Sequence, residues 1–157
     1  MVDPGAAWIV ADILSDSSAR AATFGVDSAL RLPFWTAAKT GTSKAMRDNW
    51  CVGFSDRFTV AVWVGNLEGD AMRSVSGTSG AAPVWRDVMI ALHRDHPGQP
   101  LARPANVSGA RVTFADGGEP PRNEWFIRGT EQVSLAQAPA SAQRPRIVNP
   151  VSGSVYA

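Results

Sequence analysis

Cysteine, histidine, lysine and long apolar runs are all scarce in this chain of 157 residues. The single cysteine, Cys51, excludes an internal disulfide framework, and two histidines are too few to assemble a metal-ligand spacing. We therefore expect neither a metal nor another cofactor. Fifteen basic residues against fourteen acidic ones leave a net charge of +1, so no basic surface predicts binding to nucleic acid.

Membrane and export signals are also missing from the sequence. The longest apolar run, FTVAVWV, is far shorter than a membrane span, and the first residues, MVDPGAAW, lack the charged and apolar regions of a secretory signal. What is present is the composition of a globular protein, with 45% hydrophobic and 18% charged residues. We expect one domain with a tail.

The amino-acid composition of the chain changes near residue 96. Eight of the eleven prolines lie between Pro97 and Pro150, a density typical of linkers. We predict a globular domain over 1–96 and a proline-rich extension over 97–144. The extension contains a small hairpin in ARVTFADGGEPP and NEWFIRGTEQ and a spacer, LAQAPASAQRP. A strand-like segment over 145–157 looks like the beginning of a domain that has been cut off.

Within the globular part, helix and strand patterns alternate. Asp3 and Pro4 are typical of a helix start, and apolar residues at helical spacing predict a helix over 4–15. A second helix follows Pro83, over 83–95, whose apolar stripe is Val84, Trp85, Val88, Met89 and Leu92. Between the helices lie a polar, flexible stretch and then three consecutive antiparallel strands, near 34–40, 49–55 and 58–65. The predicted fold is α+β, an antiparallel sheet with both helices on one face.

The stretch AAKTGTSK combines a cation, small hydroxyls and a glycine at the end of a strand. Lys39 supplies a charge, Thr40 and Thr42 supply hydroxyls, and Gly41 lets a ligand approach the backbone. Ser43 follows directly. These residue types predict a site that binds an anion.

Four segments in a fixed order carry a family resemblance: KTGTS, RDNWCVGFS, TVAVWVGN and SGAAPVW. In order and spacing they are similar to the C-terminal part of the transpeptidase domain of class A penicillin-binding proteins. LRLPFWTAAKTGTS and EPPRNEWFIRGTEQ narrow the resemblance to the type-1C subgroup. The similarity covers residues 4–132, and RIVNPVSGSVYA resembles the start of the small C-terminal β domain of those proteins. It implies a partial transpeptidase fold of the penicillin-binding and β-lactamase type.

The resemblance also implies a function. Family members are serine DD-transpeptidases that cross-link D-Ala-D-Ala stem peptides of peptidoglycan and bind β-lactams. They act at the periplasmic face of the inner membrane, usually with a glycosyltransferase domain. By resemblance, Lys39 attracts the substrate carboxylate and helps to move a proton. The hydroxyls of Thr40 and Thr42 bind the carboxylate, Gly41 and Ser43 complete the substrate-binding strand, and the Thr42 N–H is half of the oxyanion hole.

The sequence departs from the family pattern in one respect. The family pairs K-T-G with S-x-x-K and S-x-N motifs. Here Thr36 stands three residues before Lys39, Gly41 stands three before Lys44, and no serine is followed two residues later by asparagine. We therefore expect a fragment that is inactive alone and needs the preceding half of the domain as its partner. The alternative is a non-catalytic sheet module whose edge binds an extended peptide.

Other polar residues near this stretch have structural interpretations. We expect Arg47 and Asp48 to form an ion pair that stabilises a turn. We expect Cys51 to be a small buried hydrophobic residue rather than a reactive thiol. The loop that carries Ser76, Thr78 and Ser79 could line a substrate cleft or only connect two elements, and the sequence leaves both interpretations open.

Overall fold

The computed structural model of the protein describes residues 2–25, 27–73, 75–115 and 119–135. These residues form two compact units, of which the first runs to Val107 and the second begins at Ser108. The helices and strands are α1 (Pro4–Ser15), α2 (Ser17–Phe24), β1 (Ala37–Thr42), β2 (Asp48–Phe54), β3 (Thr59–Gly65), α3 (Ala82–Leu92), β4 (Val107–Phe114), β5 (Arg122–Ile127) and β6 (Ser134–Leu135). A 3₁₀ turn at Lys44–Met46 joins β1 to β2, and a π turn at Gly77–Ala81 leads into α3.

Both N-terminal helices begin at an aspartate cap. The Asp3 carboxylate accepts a hydrogen bond from the Ala6 amide at 3.0 Å, which satisfies a backbone donor of the first turn of α1. Asp16 ends α1 and caps α2 through the amides of Ser18 and Ala19. The helix α2 was not predicted, because SSARAATF lacks a clear apolar periodicity and its residues suggested a flexible segment.

The three strands β1, β2 and β3 form one antiparallel sheet in that order, as predicted. Ala38 of β1 lies opposite Gly53 of β2, and Gly53 lies opposite Val60 of β3. The first strand begins at Ala37 rather than near residue 34, because the Trp35 amide donates to the Gly98 carbonyl instead of joining the sheet. This long-range contact is not visible in the local sequence.

The core of the first unit lies between α3 and one face of the sheet. Trp85 and Met89 of α3 are fully buried there. The core cluster comprises Leu30, Ala38, Cys51, Ala81, Ala82, Trp85 and Met89. The helix was predicted correctly, but only two of the five residues of its predicted apolar stripe are buried, since Val84, Val88 and Leu92 are 48%, 39% and 42% exposed.

Helix α1 lies against β1, yet it contributes no residue to the core under α3 among the described residues. Ala11 is buried, whereas Val10 and Ile13 are 54% and 64% exposed. The prediction that both helices share one face of the sheet is therefore not confirmed. The apolar stripe of α1 is only partly covered within the described residues.

The second unit contains a small sheet in the order β5-β4-β6. The strands β4 and β5 are hydrogen-bonded neighbours at the two segments of the predicted hairpin. The strand β6 adds a short strand parallel to β4 that was not predicted. Most of the predicted spacer and all of RIVNPVSGSVYA lie outside the described residues. The boundary predicted after residue 96 stays a prediction. Hydrogen bonds such as that from Trp8 Nε1 to the Leu101 carbonyl connect residues 97–106 to the rest of the first unit.

Gly53 lets α3 approach the sheet closely. A Cβ atom at this position would lie 2.4 Å from the Trp85 ring and 2.8 Å from the Ala37 carbonyl oxygen. We expect Gly53→Ala to lower the free energy of unfolding by about 1–3 kcal/mol, because the packed ring and backbone cannot both yield. Gly41→Ala is the control, since its Cβ would meet only Trp50 Cβ at 3.7 Å. Urea unfolding of both variants measures the difference, and equal losses would contradict this account of α3 docking.

Candidate functional site

The anion-binding stretch forms the outer strand of the sheet, and its free edge is the candidate site. Within the described residues β1 pairs with β2 alone. The Ser43 amide donates to the Asp48 carbonyl at 2.9 Å, so odd-numbered residues of β1 bond toward β2. Because antiparallel pairing alternates, the peptide groups of Ala38, Thr40 and Thr42 point away from β2, toward the edge.

Two of these outward carbonyls are occupied by cationic side chains. Arg20 Nη1 donates to the Ala38 carbonyl at 3.5 Å, and Lys39 Nζ donates to the Thr40 carbonyl at 2.6 Å. No hydrogen bond to the Thr42 amide occurs within the described part of the chain. The outward N–H groups of the described edge, that of Thr42 among them, thus lie beside an exposed ammonium, an arrangement suited to an anionic ligand.

The predicted site side chains do not all share one face of β1. Side chains alternate along a strand, so Lys39 lies on the face opposite to that of Thr40 and Thr42. The Thr42 hydroxyl accepts a hydrogen bond from the Gly77 amide at 3.0 Å on its face. Lys39 and Thr42 can contact one ligand only if the ligand lies along the edge itself. Gly41 and Ser43 are exposed beside them.

A hydrogen-bond network closes the turn after β1. Ser43 Oγ donates to Asp48 Oδ2 at 2.9 Å and accepts from the Asp48 amide at 2.8 Å, while Trp63 Nε1 donates to Asp48 Oδ1 at 3.0 Å. The network spans a strained turn in which Ala45 and Met46 have φ angles of 60° and 56°. Asp48 is bound to Ser43 and Trp63. The predicted ion pair between Arg47 and Asp48 is wrong, since none forms between these two residues in the described part of the chain.

The loop that carries Ser76, Thr78 and Ser79 contacts the strands β1 and β2 through Gly77. Ser76 and Ser79 bind each other's amides reciprocally, which fixes the start of the π turn. Gly77 between them is buried against β1 and β2. Sequence reasoning missed Gly77 and Arg20, although the glycine-rich loop was a signal for close backbone approach.

Cys51 lies on the buried face of β2 and is fully buried, so the prediction of a structural cysteine is confirmed. Burial raises the pKa of its thiol to about 12, an effect that the charge of Arg20 partly opposes. The pKa of Arg20 is itself lowered, chiefly by burial. A protonated, enclosed thiol is a poor nucleophile.

The described ranges contain no group of three or more histidine, cysteine, aspartate or glutamate side chains that could hold a metal ion. None of their helices is long and apolar enough to cross a membrane.

Comparisons with known proteins identify the class of the chain. No protein-family model matches the sequence. Penicillin-binding protein 1A of Clostridium botulinum (strain Langeland) is 33% identical over 131 residues, covering 74% of this chain and 15% of the relative. The crystal structure of penicillin-binding protein 1A from Haemophilus influenzae matches with a TM-score of 0.54 and 27% identity, over 61% of this chain and 15% of that chain. The chain belongs to the penicillin-binding proteins.

The relatives are of the class A kind, both 1A and 1C. Penicillin-binding protein 1C of Escherichia coli is 26% identical over 147 residues, covering 86% of this chain and 18% of the relative. The narrower assignment to the 1C subgroup stays a prediction, because proteins of both kinds match. The chain spans only 15% to 18% of the length of these two curated relatives.

The thiol of Cys51 should make stability fall at alkaline pH. An unfolded thiol ionises near its ordinary pKa of 9.0, whereas the folded one keeps its proton to about 12. Between these values the unfolded state binds fewer protons, so the free energy of unfolding should fall by up to about 1.4 kcal/mol per pH unit. The stabilisation is fully present below pH 9.

The control for this prediction is Cys51→Ala, which carries no thiol. Chemical unfolding from pH 7 to pH 11 should show a constant difference between the two proteins up to about pH 9 and a relative loss for the wild type above it. A difference that stays constant over the whole range would show that the thiol ionises equally in both states.

Proposed function

We propose that the chain forms the Lys-Thr-Gly wall of a peptidoglycan transpeptidase active site. The observation that carries this proposal is the Thr42 N–H at the edge of β1 that is unpaired within the described residues, with the Lys39 ammonium bound to the Thr40 carbonyl on the same edge. Membership of the penicillin-binding proteins supports it, since that family name denotes recognition of a β-lactam. The substrate would be a stem peptide ending in D-Ala-D-Ala.

The edge geometry suits the two charges that arise in this reaction. The donor peptide ends in a carboxylate, which Lys39 would attract from one face of β1 while the hydroxyls of Thr40 and Thr42 donate to it from the other. When a nucleophile adds to the scissile carbonyl, the oxygen becomes an oxyanion, and the Thr42 N–H would donate to that oxygen. Gly41 leaves the backbone between these groups accessible.

The nucleophile would be a serine outside these residues. Its oxygen bonds to the carbonyl carbon, the peptide bond to the terminal D-Ala breaks, and the leaving amine takes up the serine proton. An amino group of a second peptide then attacks the resulting ester and releases the serine, which regains a proton. We infer a periplasmic site of action, because the peptidoglycan substrate lies there.

The free edge of β1 also favours a second candidate function, in which the chain binds an extended peptide by strand addition without catalysis. The outward peptide groups of β1 that would serve a transpeptidase would serve this function equally. The two candidates differ in what must precede the chain. A transpeptidase needs an in-frame S-x-x-K motif upstream of Met1, and a peptide-binding module does not.

Acylation by a fluorescent penicillin tests the proposal. We expect the 157-residue chain alone to form no covalent adduct, and the same chain expressed with its in-frame upstream coding sequence to form one that mass spectrometry detects. Lys39→Ala should lower the acylation rate constant about a hundredfold or more, because it removes the charge that holds the carboxylate.

The matched control is Lys44→Ala, which removes the other lysine of the chain from the exposed 3₁₀ turn. It should change the rate constant by less than about twofold. Acylation that survives Lys39→Ala, or an upstream sequence without a serine nucleophile motif, would overturn the transpeptidase proposal. Tight binding of extended peptides by the chain alone would then favour the sheet module.

A further inference from the structure

The Gly77 amide determines what the Thr42 hydroxyl can do. A hydroxyl oxygen can accept two hydrogen bonds and donate one, whereas a backbone amide can only donate. Because Gly77 N donates to Thr42 Oγ1 at 3.0 Å, the threonine is the acceptor in this pair. The single hydroxyl hydrogen of Thr42 is therefore left to donate elsewhere.

Only glycine permits this contact. Gly77 is buried, and a Cβ atom on it would lie 2.8 Å from the Trp50 carbonyl oxygen, 3.0 Å from the Gly41 carbonyl oxygen and 3.1 Å from Thr40 Cβ. Two of these three neighbours are backbone atoms of paired strands, which cannot yield as a flexible side chain does. Any larger residue would have to move away from β1, and its amide would move with it.

The π turn that presents this amide is held from both sides. On one side, the Ser76 and Ser79 hydroxyls bind each other's backbone amides at 2.9 Å and 3.2 Å, and the Gly80 amide donates to the Ser76 carbonyl at 2.7 Å. On the other side, the turn continues into α3, and Ala81 is fully buried in the core. The position of the Gly77 amide is thus set by the core rather than by a mobile loop.

We propose that Gly77 is a positioning residue that fixes the Thr42 hydroxyl as a hydrogen-bond donor to the carboxylate of the ligand. The proposal rests on the proposed transpeptidase function and adds to it a preference for ligands with a free carboxylate. With one acceptor position of its oxygen already used by Gly77, the Thr42 hydroxyl directs its hydrogen away from that amide and can donate it to a carboxylate, and this charge-assisted bond is stronger than one to an ester that has lost the negative charge. The selectivity of this site for a free carboxylate then depends on a glycine in the loop before α3.

The test measures acylation rate constants for benzylpenicillin and for its methyl ester in the protein expressed with its upstream coding sequence. The variants are Gly77→Ala, Thr42→Val and the double variant, with Thr42→Ser as the conservative replacement. Gly77→Ala should lower the rate constant for benzylpenicillin about fivefold to tenfold and change that for the ester little. In the Thr42→Val background the same glycine substitution should have less than about a twofold further effect, and Thr42→Ser should retain the preference for the free acid.

Gly80→Ala is the matched control in the same turn, because its Cβ would meet the Val75 side chain, at 2.6 Å, rather than any atom of β1. It should leave the ratio of the two rate constants unchanged. If Gly77→Ala slows both ligands equally, or acts as strongly in the Thr42→Val background as in the wild type, the glycine has only a structural role and the inference is overturned.

A second measurement does not depend on activity. Amide hydrogen exchange by NMR in the 157-residue chain should show a protected Gly77 amide that loses protection in Thr42→Val and keeps it in Thr42→Ser. Fast exchange in the wild type would overturn the inference while leaving the transpeptidase proposal intact. Failure of the wild type to be acylated, with a protected Gly77 amide, would overturn the transpeptidase proposal and leave the hydrogen bond standing.

Discussion

The contact between the Trp85 ring and the bare backbone of Gly53 is the constraint on which the first unit depends. It places α3 directly on the sheet, with Trp85 and Met89 completely buried. The indole nitrogen of Trp85 has no hydrogen-bond partner in the described residues, although it is buried. Burial of so large an apolar surface outweighs one unsatisfied donor, which typically costs about 1–3 kcal/mol. The position of α3 in turn fixes the π turn and the Gly77 amide.

The elements whose signals are local could be predicted, and those set by distant contacts could not. The helices α1 and α3 and the strands β2 and β3 have caps, prolines or alternating apolar residues within their own segments. The position of helix α2 depends on the Asp16 cap and on Arg20, which donates hydrogen bonds to the carbonyls of Leu14 in α1 and Ala38 in β1. The start of β1 depends on the carbonyl of Gly98, far away in the sequence.

The candidate site likewise has features that the local sequence predicts and features that depend on distant contacts. KTGTS identified the strand that carries Lys39 and Thr42, because the residue types themselves carry the chemistry. The predicted strand ended near residue 40, whereas β1 continues to Thr42, and side-chain alternation along it puts Lys39 and Thr42 on opposite faces. The sequence did not reveal which peptide groups face the edge, because that depends on the pairing with β2. It also gave no sign that Asp48 binds Trp63 rather than Arg47, because that partner belongs to another strand.

The outer edge of β1, which is unpaired within the described residues, could pair with another chain or bind a ligand. Free N–H and C=O groups along an outer strand invite pairing with another chain, and charged side chains are a common protection. Within the described residues, Arg20 and Lys39 occupy the outward carbonyls of Ala38 and Thr40, whereas neither side chain covers the outward N–H groups of β1. A strand from another molecule needs N–H and C=O groups in alternation, whereas a ligand that only accepts hydrogen bonds needs N–H groups and a neighbouring cation. Capped carbonyls beside open N–H groups therefore favour a ligand that only accepts hydrogen bonds over a pairing strand.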